Sequence, residues 1–354
     1  MKIPRLVTID GDFWRGRRVL VTGHTGFKGG WLSLWLQSLG AELTGFSSGT
    51  RAAPSLFEQA RVGEGMREEH GDIRDGRAFG AALAASGAEV VMHLAAQPMV
   101  RRSLREPALT YEVNVMGTVN VLEAVRAAGG QVRAALVVTS GFDVHDPRGG
   151  GDPYSSSKAA AELVVAAYRR SYFTATQGPR LAVARAGNVI GGGDRGEDRL
   201  LPGALAAVES GEELLLRNPD AVRPWQHVLN PLAGYLLLAQ ALCEEGEGAP
   251  ADSWDFGPPA SDVHRVGWVV ERLAELWEGR LRWRVDEGAN PPEAGQLVLD
   301  SSAAEARLGW RPAWGLEEAL ERVVEWHRHE ERGEDMREHT LAQIAMYDDS
   351  PTRA

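Results

Sequence analysis

Short apolar runs alternate with amphipathic stretches over the first half of the chain. The runs are typical of buried parallel strands, and the stretches between them have helical spacing. The predicted strands are residues 17–22, 42–46, a segment ending at 71–73, 89–94, 132–140 and 181–186. The predicted helices are residues 29–39, 77–85, 109–128 and 154–172. This alternation predicts an α/β fold, a doubly wound parallel Rossmann sheet with right-handed crossovers.

After residue 186 the alternation weakens, and Gly, Pro and Trp become frequent. The change predicts a smaller, mixed C-terminal substrate-binding domain that closes a cleft over the carboxyl ends of the strands. We expect a Rossmann domain over 12–186, a substrate-binding domain over 187–330 interleaved with late Rossmann elements, and a charged tail over 331–354. The region after Trp326 is rich in charge, which predicts a solvated helix or partial disorder.

A glycine-rich loop follows the first predicted strand and opens the first predicted helix. Its spacing is Gly-x-x-Gly-x-x-Gly, which allows a tight turn and lets a pyrophosphate approach N–H groups at the helix start. An ordinary strand-to-helix turn is the alternative, but the flanking strand and helix favour a dinucleotide site. The candidate cofactor-binding residues of the loop are Gly23, Thr25, Gly26, Phe27 and Gly29.

The second predicted strand ends without the acidic residue that usually binds the cofactor ribose. Ser47 and Ser48 stand there instead, and the nearby Thr50 and Arg51 could accommodate a 2′-phosphate. This position therefore leaves NAD and NADP open. Asp72, after the third strand, is a candidate for the adenine end of the cofactor, and a helix N-cap is the equal alternative.

Tyr154 and Lys158 lie four residues apart at the start of a predicted helix, so they share one face. A phenol has an ordinary pKa of about 10, and a nearby ammonium favours the phenolate. Tyr154 could then take a hydroxyl proton while hydride leaves the same carbon for a nicotinamide. Ser140 ends the fifth strand and could hydrogen-bond the reacting oxygen. A solvent-facing Tyr/Lys pair is the alternative, which the glycine loop and Ser140 together disfavour.

The composition narrows the class of partner. The chain has 354 residues and a formal net charge of -11, which argues against general nucleic-acid binding. An anionic substrate would need a local cluster of Arg or Lys. Cys243 is the single cysteine, so no intrachain disulfide can form, and a reducing cytoplasm is expected. The longest apolar stretch, near residues 232–243, is too short to span a bilayer. We expect no metal ion.

Several further stretches carry a family resemblance. They are residues 21–31, 93–98, 114–118, 185–194, 217–219 and 223–228. With these and the Tyr154/Lys158 pair, the chain resembles the extended short-chain dehydrogenase/reductases that remodel nucleotide sugars. Among them it is most similar to the CDP-glucose 4,6-dehydratases, over residues 13–326.

The resemblance implies a cofactor, a substrate and a role for each matching residue. NAD is the implied cofactor, with NADP as the alternative, and a nucleotide sugar is the implied substrate. Asn114 is implied to be structural or to hold a water, and Lys158 to touch the ribose. Further cofactor contacts are implied for Ile73, Leu94, Ala95, Ala96 and Asn114. Substrate contacts are implied for Gln97, Asn188, Arg199, Arg217 and Arg223, of which Asn188 and the arginines would surround the diphosphate.

A homodimer or a dimer of dimers is also implied, with the helices near residues 109–128 and 154–172 pairing across the interface. The second of these helices is apolar on much of its circumference, as a helix covered on two sides should be.

One departure from the family concerns the elimination of water. In the dehydratases the strand-end Ser or Thr is followed by an acidic residue and a second acid/base, whereas Ser140 is followed by Gly141 and Phe142. Elimination needs a base for the C5 proton and an acid for the 6-hydroxyl, and loss of either group costs roughly 10²–10⁴-fold. Asp143, His145 and Asp146 lie in the shortened loop and are candidate replacements; an ordinary polar loop is the alternative.

Three smaller departures, Gly151, Arg195 and Pro292, bear on sugar specificity. Three hypotheses follow. The first is a 4,6-dehydratase that oxidises sugar C4 through Tyr154 and Lys158 and then eliminates water across C5–C6. The second is a 4-epimerase or dehydrogenase that lacks the elimination step. The third is a binding paralogue without catalysis, which the retained Tyr154 and Lys158 disfavour.

Overall fold

The computed structural model describes residues 9–49, 54–141, 151–174, 178–244, 252–288 and 299–350. The described strands are β1 (Arg18–Thr22), β2 (Glu42–Ser47), β3 (Arg67–His70), β4 (Val90–His93), β5 (Ala134–Val138), β6 (Arg180–Ala186), β7 (Asn188–Ile190), β8 (Glu213–Leu216), β9 (Val222–His227), β10 (Ser253–Phe256), β11 (Val263–Arg265) and β12 (Arg282–Val285).

The α-helices in the same residues are α1 (Gly11–Trp14), α2 (Phe27–Ser38), α3 (Leu56–Gln59), α4 (Gly76–Ser86), α5 (Val100–Arg105), α6 (Pro107–Tyr111), α7 (Gly117–Ala127), α8 (Pro153–Ser171), α9 (Leu200–Ser210), α10 (Leu229–Cys243), α11 (Val266–Leu276), α12 (Ser302–Leu308), α13 (Leu316–Glu331) and α14 (Met336–Asp348). A π-helical turn (Glu112–Met116) joins α6 to α7, and 3₁₀ turns occur at Gly129–Gln131 and Ala260–Asp262.

Seven parallel strands form the central sheet in the order β10-β6-β5-β4-β1-β2-β3. The strand order reverses beside β1, and ligands bind such sheets at the carboxyl ends of the strands near this reversal. The predicted doubly wound Rossmann sheet is confirmed. Strands β1, β4 and β5 are almost wholly buried, which explains why their sequences are continuous apolar runs.

One strand of the central sheet comes from late in the chain. β10 pairs in parallel with β6, with Trp254 opposite Ala184. Helix α10 covers these strands so closely that a Cβ at Gly234 would overlap the ring of Phe256. The Rossmann core is therefore completed by residues that follow the start of the smaller region.

The smaller region contains two short sheets. The first is mixed, in the order β11-β9-β7, and the second pairs β12 with β8. Helices α9, α11 and α13 pack on them around a separate apolar cluster that includes Trp225, Val270 and Leu320. The predicted smaller mixed region is present.

The C-terminal helix corrects one expectation. Residues after Trp326 were expected to form a solvated helix or to be partly disordered, but α14 packs against α2 with Ile344 and Tyr347 buried. The hydroxyl of Tyr347 donates to Asn230 Oδ1 at 2.9 Å. The buried residues of α14 recur at helical spacing on one face, and two of them are polar, so composition alone concealed a packed helix.

Helix α10 is apolar around its whole circumference, and nearly all of its residues are buried. Such a helix lies in a protein core or in a membrane. None of the described helices combines the length and apolar character that a bilayer span requires.

Candidate active site

The glycine loop joins β1 to α2 through close backbone contacts. Gly23 has a φ of 76°, and a Cβ there would lie 2.9 Å from the Cα of Ala95. A Cβ at Gly29 would overlap the carbonyl oxygen of Gly23. Gly26 is the N-cap of α2 and provides no side-chain cap, so the first turn can present its N–H groups to an anion. The cradle fits a dinucleotide pyrophosphate.

A hydroxyl at the end of β1 ties the loop to the end of β4. Thr22 Oγ1 accepts hydrogen bonds from the N–H groups of Leu94 and Ala95, both at 3.1 Å. The same oxygen lies 2.7 Å from His93 Nδ1. Burial and the charge of Lys158 lower the pKa of His93 to about 3, so this imidazole is neutral. Leu94 and Ala95 thus lie beside the glycine loop, as a cofactor role requires, and Ala96 follows them.

The loop after β2 is held by hydroxyl groups. Thr25 Oγ1 and Ser47 Oγ lie 2.7 Å apart, and Thr25 donates to the carbonyl of Gly49. Thr25 therefore has a structural role in addition to its predicted cofactor role. Thr50 and Arg51 lie outside the described residues.

Asp72 binds a neighbouring arginine rather than capping a helix. Its carboxylate accepts from Arg74 Nη2 at 2.8 Å, and the N-cap of α4 is Asp75. The N-cap alternative for Asp72 is wrong because the helix begins farther along the chain. Ile73 is buried against Gly117. The adenine-site role of Asp72 and Ile73 remains a prediction.

Asn114 lies in the π-helical turn and connects three segments of the site. Its Oδ1 accepts from the N–H of Gln97 at 2.8 Å, and its Nδ2 donates to Ser157 Oγ at 2.8 Å. A π-turn shifts side-chain directions along a helix and is often found at functional sites. The predicted structural role of Asn114 agrees with these contacts.

Both the nitrogen and the oxygen of the Gln97 side-chain amide form hydrogen bonds within the protein. Nε2 donates to Thr110 Oγ1 at 2.9 Å and Oε1 accepts from the N–H of Met99 at 2.7 Å. The side chain is 5% exposed. This geometry supports a role in shaping the loop, and the substrate contact of Gln97 remains a prediction.

The start of α8 is fixed by its cap. Asp152 Oδ1 accepts from the N–H groups of Tyr154 and Ser155 at 2.8 and 3.0 Å, and Pro153 occupies the first turn. Both features are typical of a well-defined helix start. The cap therefore fixes the backbone from which the Tyr154 side chain extends.

Tyr154 and Ser140 meet at the carboxyl end of β5. Ser140 hydrogen-bonds Tyr154, and this bond and the charge of Arg199 both act to lower the pKa of the phenol. Burial is larger and raises that pKa overall. Ser140 therefore lies beside the Tyr154 phenol, and its predicted hydrogen bond to the reacting oxygen remains a prediction.

Lys158 behaves differently from the sequence expectation. Its Nζ donates to the carbonyl of Val138 at 3.3 Å, and burial lowers its pKa to about 8. The sequence predicts that Lys158 favours the Tyr154 phenolate, but the cation that acts on the phenol in the structure is Arg199, opposed by the charge of Asp152. The ammonium points to the end of β5, where a cofactor ribose could meet it.

The four predicted diphosphate residues lie on different elements. Asn188 starts β7, and its Oδ1 is buried without a hydrogen-bond partner among the described residues. Arg223 is buried in β9, the neighbour of β7. Arg199 stands at the N-cap position of α9, and its Nη1 binds Asp194 at 2.9 Å. Arg217 follows β8 and is partly buried. Of the four, only Arg199 has a described interaction with Tyr154. Binding of the diphosphate by all four residues therefore remains a prediction.

The space beside Gly141, at the elimination position, is occupied by a leucine side chain. A Cβ at Gly141 would overlap Leu299 Cδ2, and Leu299 is itself buried. Phe142, Asp143, His145 and Asp146 lie outside the described residues.

Two residues of the cleft were not predicted. Lys28, in the first turn of α2, places its Nζ 5.8 Å from the ring centroid of Tyr235 in α10. Tyr235 is fully buried and interacts electrostatically with Tyr154. The sequence contained a signal for each: Lys28 lies within the glycine loop, and Tyr235 is the single phenol of a predominantly apolar helix.

Known proteins share this architecture. The model of the GDP-mannose 4,6 dehydratase family matches residues 20–323. The chain is 45% identical to CDP-glucose 4,6-dehydratase of Salmonella typhimurium, over 98% of this chain and 100% of that protein. It is 33% identical to dTDP-glucose 4,6-dehydratase of Mycolicibacterium smegmatis, over 89% of this chain and 94% of the relative.

Solved structures give the same result for the fold. UDP-glucose 4-epimerase of Thermus thermophilus, in complex with NAD, has a TM-score of 0.72 and 26% identity, covering 88% of this chain and 99% of that one. A dTDP-glucose 4,6-dehydratase of Streptomyces venezuelae, with NAD bound, has a TM-score of 0.76 and 23% identity, covering 90% and 98%. The chain therefore belongs to the GDP-mannose 4,6 dehydratase family, in the nucleotide-sugar branch of the extended short-chain dehydrogenase/reductases, and is a homologue of CDP-glucose 4,6-dehydratase.

Proposed function

We propose that this protein is an NAD-dependent 4,6-dehydratase of a nucleotide sugar, with CDP-glucose as the favoured substrate. The observation that carries the proposal is the full-length match to a CDP-glucose 4,6-dehydratase, together with Tyr154 hydrogen-bonded to Ser140 at the end of β5. Both the redox residues and the surrounding fold are retained.

Different residues of the cleft are assigned to cofactor binding, proton transfer and substrate binding. The glycine loop and the start of α2 would hold the pyrophosphate of NAD, and Lys158 would meet the ribose. When bound, NAD would accept hydride from C4 and, once reduced, return it at C6. Tyr154 takes the proton of the 4-hydroxyl, and Ser140 hydrogen-bonds the same oxygen. Asn188, Arg199, Arg217 and Arg223 bind the diphosphate, which an acidic protein can attract only with a local cluster of cations.

A second candidate is favoured by one specific observation. Gly141 offers no acid or base where the family has one, and Leu299 fills the adjoining space. An enzyme that lacks this acid or base and stops after C4 oxidation would be a 4-epimerase or a dehydrogenase. The 45% identity over the whole chain favours the dehydratase.

The products distinguish the two candidates. The protein is incubated with NAD and, separately, with CDP-, dTDP-, GDP- and UDP-glucose, and each product is analysed by mass spectrometry. A dehydratase yields a sugar nucleotide lighter by one water, and we expect it with CDP-glucose. An isomer of unchanged mass, or net reduction of NAD without loss of water, supports the second candidate. Tyr154→Phe is the control for both outcomes, since it removes the phenol from either reaction.

We also propose a homodimer in which α8 faces its counterpart. Several apolar side chains are exposed on α5 to α8, among them Leu104, Met116 and Leu163, of which Leu163 is 73% exposed. Contiguous exposed apolar surface commonly marks a protein interface. A second copy of this chain is the occupant that the family resemblance implies.

A further inference from the structure

Lys28 is a cation of the cleft that has no hydrogen-bond or ion-pair partner among the described residues. It is partly buried in the first turn of α2, and its Nζ lies 5.8 Å from the ring centroid of Tyr235. Within the described ranges, no hydrogen bond or ion pair holds this ammonium. Long charged side chains are rarely buried without a partner, because loss of hydration is costly. An unpaired lysine therefore points to a function.

Lysine is also a rare residue in this chain. Lys28 and Lys158 are two of only three lysines among 38 basic residues, the third being Lys2. Arginine provides almost all of the positive charge. An ammonium can lose its proton readily when it is buried, whereas a guanidinium remains charged. The two internal lysines both lie in the cleft, where that difference matters.

The surroundings of Lys28 include the redox residues. The charges of Lys158, Arg199 and Asp194 all act on it, and Arg199 also acts on Tyr154. The hydroxyl of Tyr235 is buried, has no hydrogen-bond partner among the described residues, and interacts with Tyr154. Tyr235 therefore connects Lys28 with Tyr154, since the amine lies over its ring and its phenol interacts with that of Tyr154.

The acid–base properties of the amine suit proton transfer. Burial is the main cause that lowers the pKa of Lys28, to about 7, with the charges of Arg199 and Lys158 adding to the effect. A group with a pKa near neutrality can both accept and donate a proton efficiently. Gly141 and Phe142, at the positions of the family acid/base pair, can do neither.

We propose that Lys28 is the proton-transfer residue of the elimination, an inference that rests on the proposed dehydratase function. The neutral amine takes the C5 proton, which the C4 ketone has made acidic. The resulting ammonium gives that proton to the 6-hydroxyl. The C5–H electron pair becomes the C5=C6 bond, the C6–O bond breaks, and water departs. Lys28 returns to its neutral form, so the step consumes no further reactant.

Two substitutions distinguish proton transfer by Lys28 from an effect of its positive charge alone. Lys28→Met removes the amine and its charge at similar length, and Lys28→Arg retains the charge but cannot cycle a proton at neutral pH. Three quantities are measured for each: the affinity for NAD, the single-turnover rate of nicotinamide reduction, and the rate of water loss from CDP-glucose. Both variants should lose water at least ~10²-fold more slowly than the wild type, a loss larger than any change in NAD affinity or in the rate of nicotinamide reduction.

The pH profile gives an independent readout. In single turnovers, water loss by the wild type should rise with pH and then level, because the amine must be neutral to accept the C5 proton and burial lowers its pKa below the ordinary value. The charged or titratable groups that face Lys28 are Lys158, Arg199, Asp194 and Tyr235, and all four remain in both variants. Neither Lys28→Met nor Lys28→Arg should show this rise.

Several results would overturn the proposal. Rapid water loss by Lys28→Met would show that another group transfers the protons. Restored water loss in Lys28→Arg would show that charge alone is needed. A tenfold weaker affinity of Lys28→Met for NAD, restored in Lys28→Arg, would assign the lysine to cofactor phosphate. If the wild type oxidises C4 but never loses water, the proposed dehydratase function itself is wrong. This result is distinct from the other three because it is seen in the wild-type protein.

Discussion

Leu299 occupies the space into which a side chain at Gly141 would extend, so that a Cβ built at residue 141 would overlap Leu299 Cδ2. The same leucine lies 3.3 Å from the Cβ position of Gly187 and also adjoins Gly257. The ends of β5, β6 and β10 thus converge on one buried side chain. The glycine at the elimination position is therefore part of the local packing, and a side chain there would require Leu299 to move.

Gly141→Ala should destabilise the protein by about 1–3 kcal/mol, because overpacking a close contact forces neighbouring atoms to move. The free energy of unfolding is measured by denaturant titration. Gly80→Ala is the matched control, since its Cβ would meet Ala124 at an ordinary 4.0 Å in the interior of α4. That control should be stabilising by roughly 0.5–1 kcal/mol.

The combination of Gly141→Ala with Leu299→Ala tests the cause. If the overlap is responsible, the double variant should be more stable than the sum of the two single effects predicts, by about 0.5–3 kcal/mol. Strict additivity would contradict the packing account.

Tyr154→Phe should lower kcat by roughly 10²–10⁴-fold while the affinity for NAD stays near the wild-type value. The phenol is the proposed base for the 4-hydroxyl, and its ring is retained in the variant. Turnover and NAD binding are measured separately. Tyr172→Phe, just after the same helix, is the control and should keep full activity; equal losses in the two variants would refute the assignment.

NAD-free Lys28→Met should be more stable than the wild type at pH 7, and the difference should shrink as the pH rises towards 10. In the folded protein the pKa of Lys28 is about 7 against an ordinary 10.5. Below pH 7 the amine is protonated in both states and the full cost of burying its charge is present. Between pH 7 and 10.5 the unfolded chain binds more protons, so the wild type gains stability and that cost is lost.

The expected decrease in this stability difference is about 1–3 kcal/mol between roughly pH 7 and 9.5, since each pKa unit corresponds to roughly 1.4 kcal/mol and partial exposure of the side chain reduces the full value. Thermal or chemical unfolding of both proteins across this range provides the measurement. Lys158 titrates in both proteins, so its contribution largely cancels. A difference independent of pH would show that Lys28 is not buried in its charged form.

Leu163→Asp should disrupt the proposed dimer, because it places a charge in the centre of an apolar interface. The side chain is 73% exposed in the single chain, so the fold itself should tolerate the change. Molar mass from light scattering should fall to that of one chain. Leu215→Asp is the control, since Leu215 is also exposed but lies on β8, away from the proposed interface, and the mass should stay unchanged. An unaltered mass in Leu163→Asp would count against pairing through α8.

Local patterns predicted the central features of the fold and of the site. The strand, glycine loop and helix around Gly23 to Gly29 follow from backbone requirements within a few residues, and so does the capped helix that carries Tyr154 and Lys158. The apolar runs of β1, β4 and β5 indicate strands that are buried on both faces.

Long-range packing accounts for what the sequence did not reveal. β10 joins the sheet beside β6 although a long stretch of chain separates the two strands, and periodicity does not encode such a pairing. Tyr235 meets Lys28 across two distant helices, and Leu299 meets Gly141 from a remote part of the chain. Each contact depends on the assembled fold, so none has a local sequence signature.

The transfer of hydrogen from C4 to C6 tests the central claim most directly. CDP-glucose labelled with deuterium at C4 is converted by the protein with NAD, and the product is examined by mass spectrometry and NMR. A 4,6-dehydratase gives a 4-keto-6-deoxy sugar nucleotide that has lost one water and carries the deuterium in its C6 methyl group. Recovery of the label at C4 of an isomer of unchanged mass, or its accumulation in the nicotinamide without loss of water, would contradict the account.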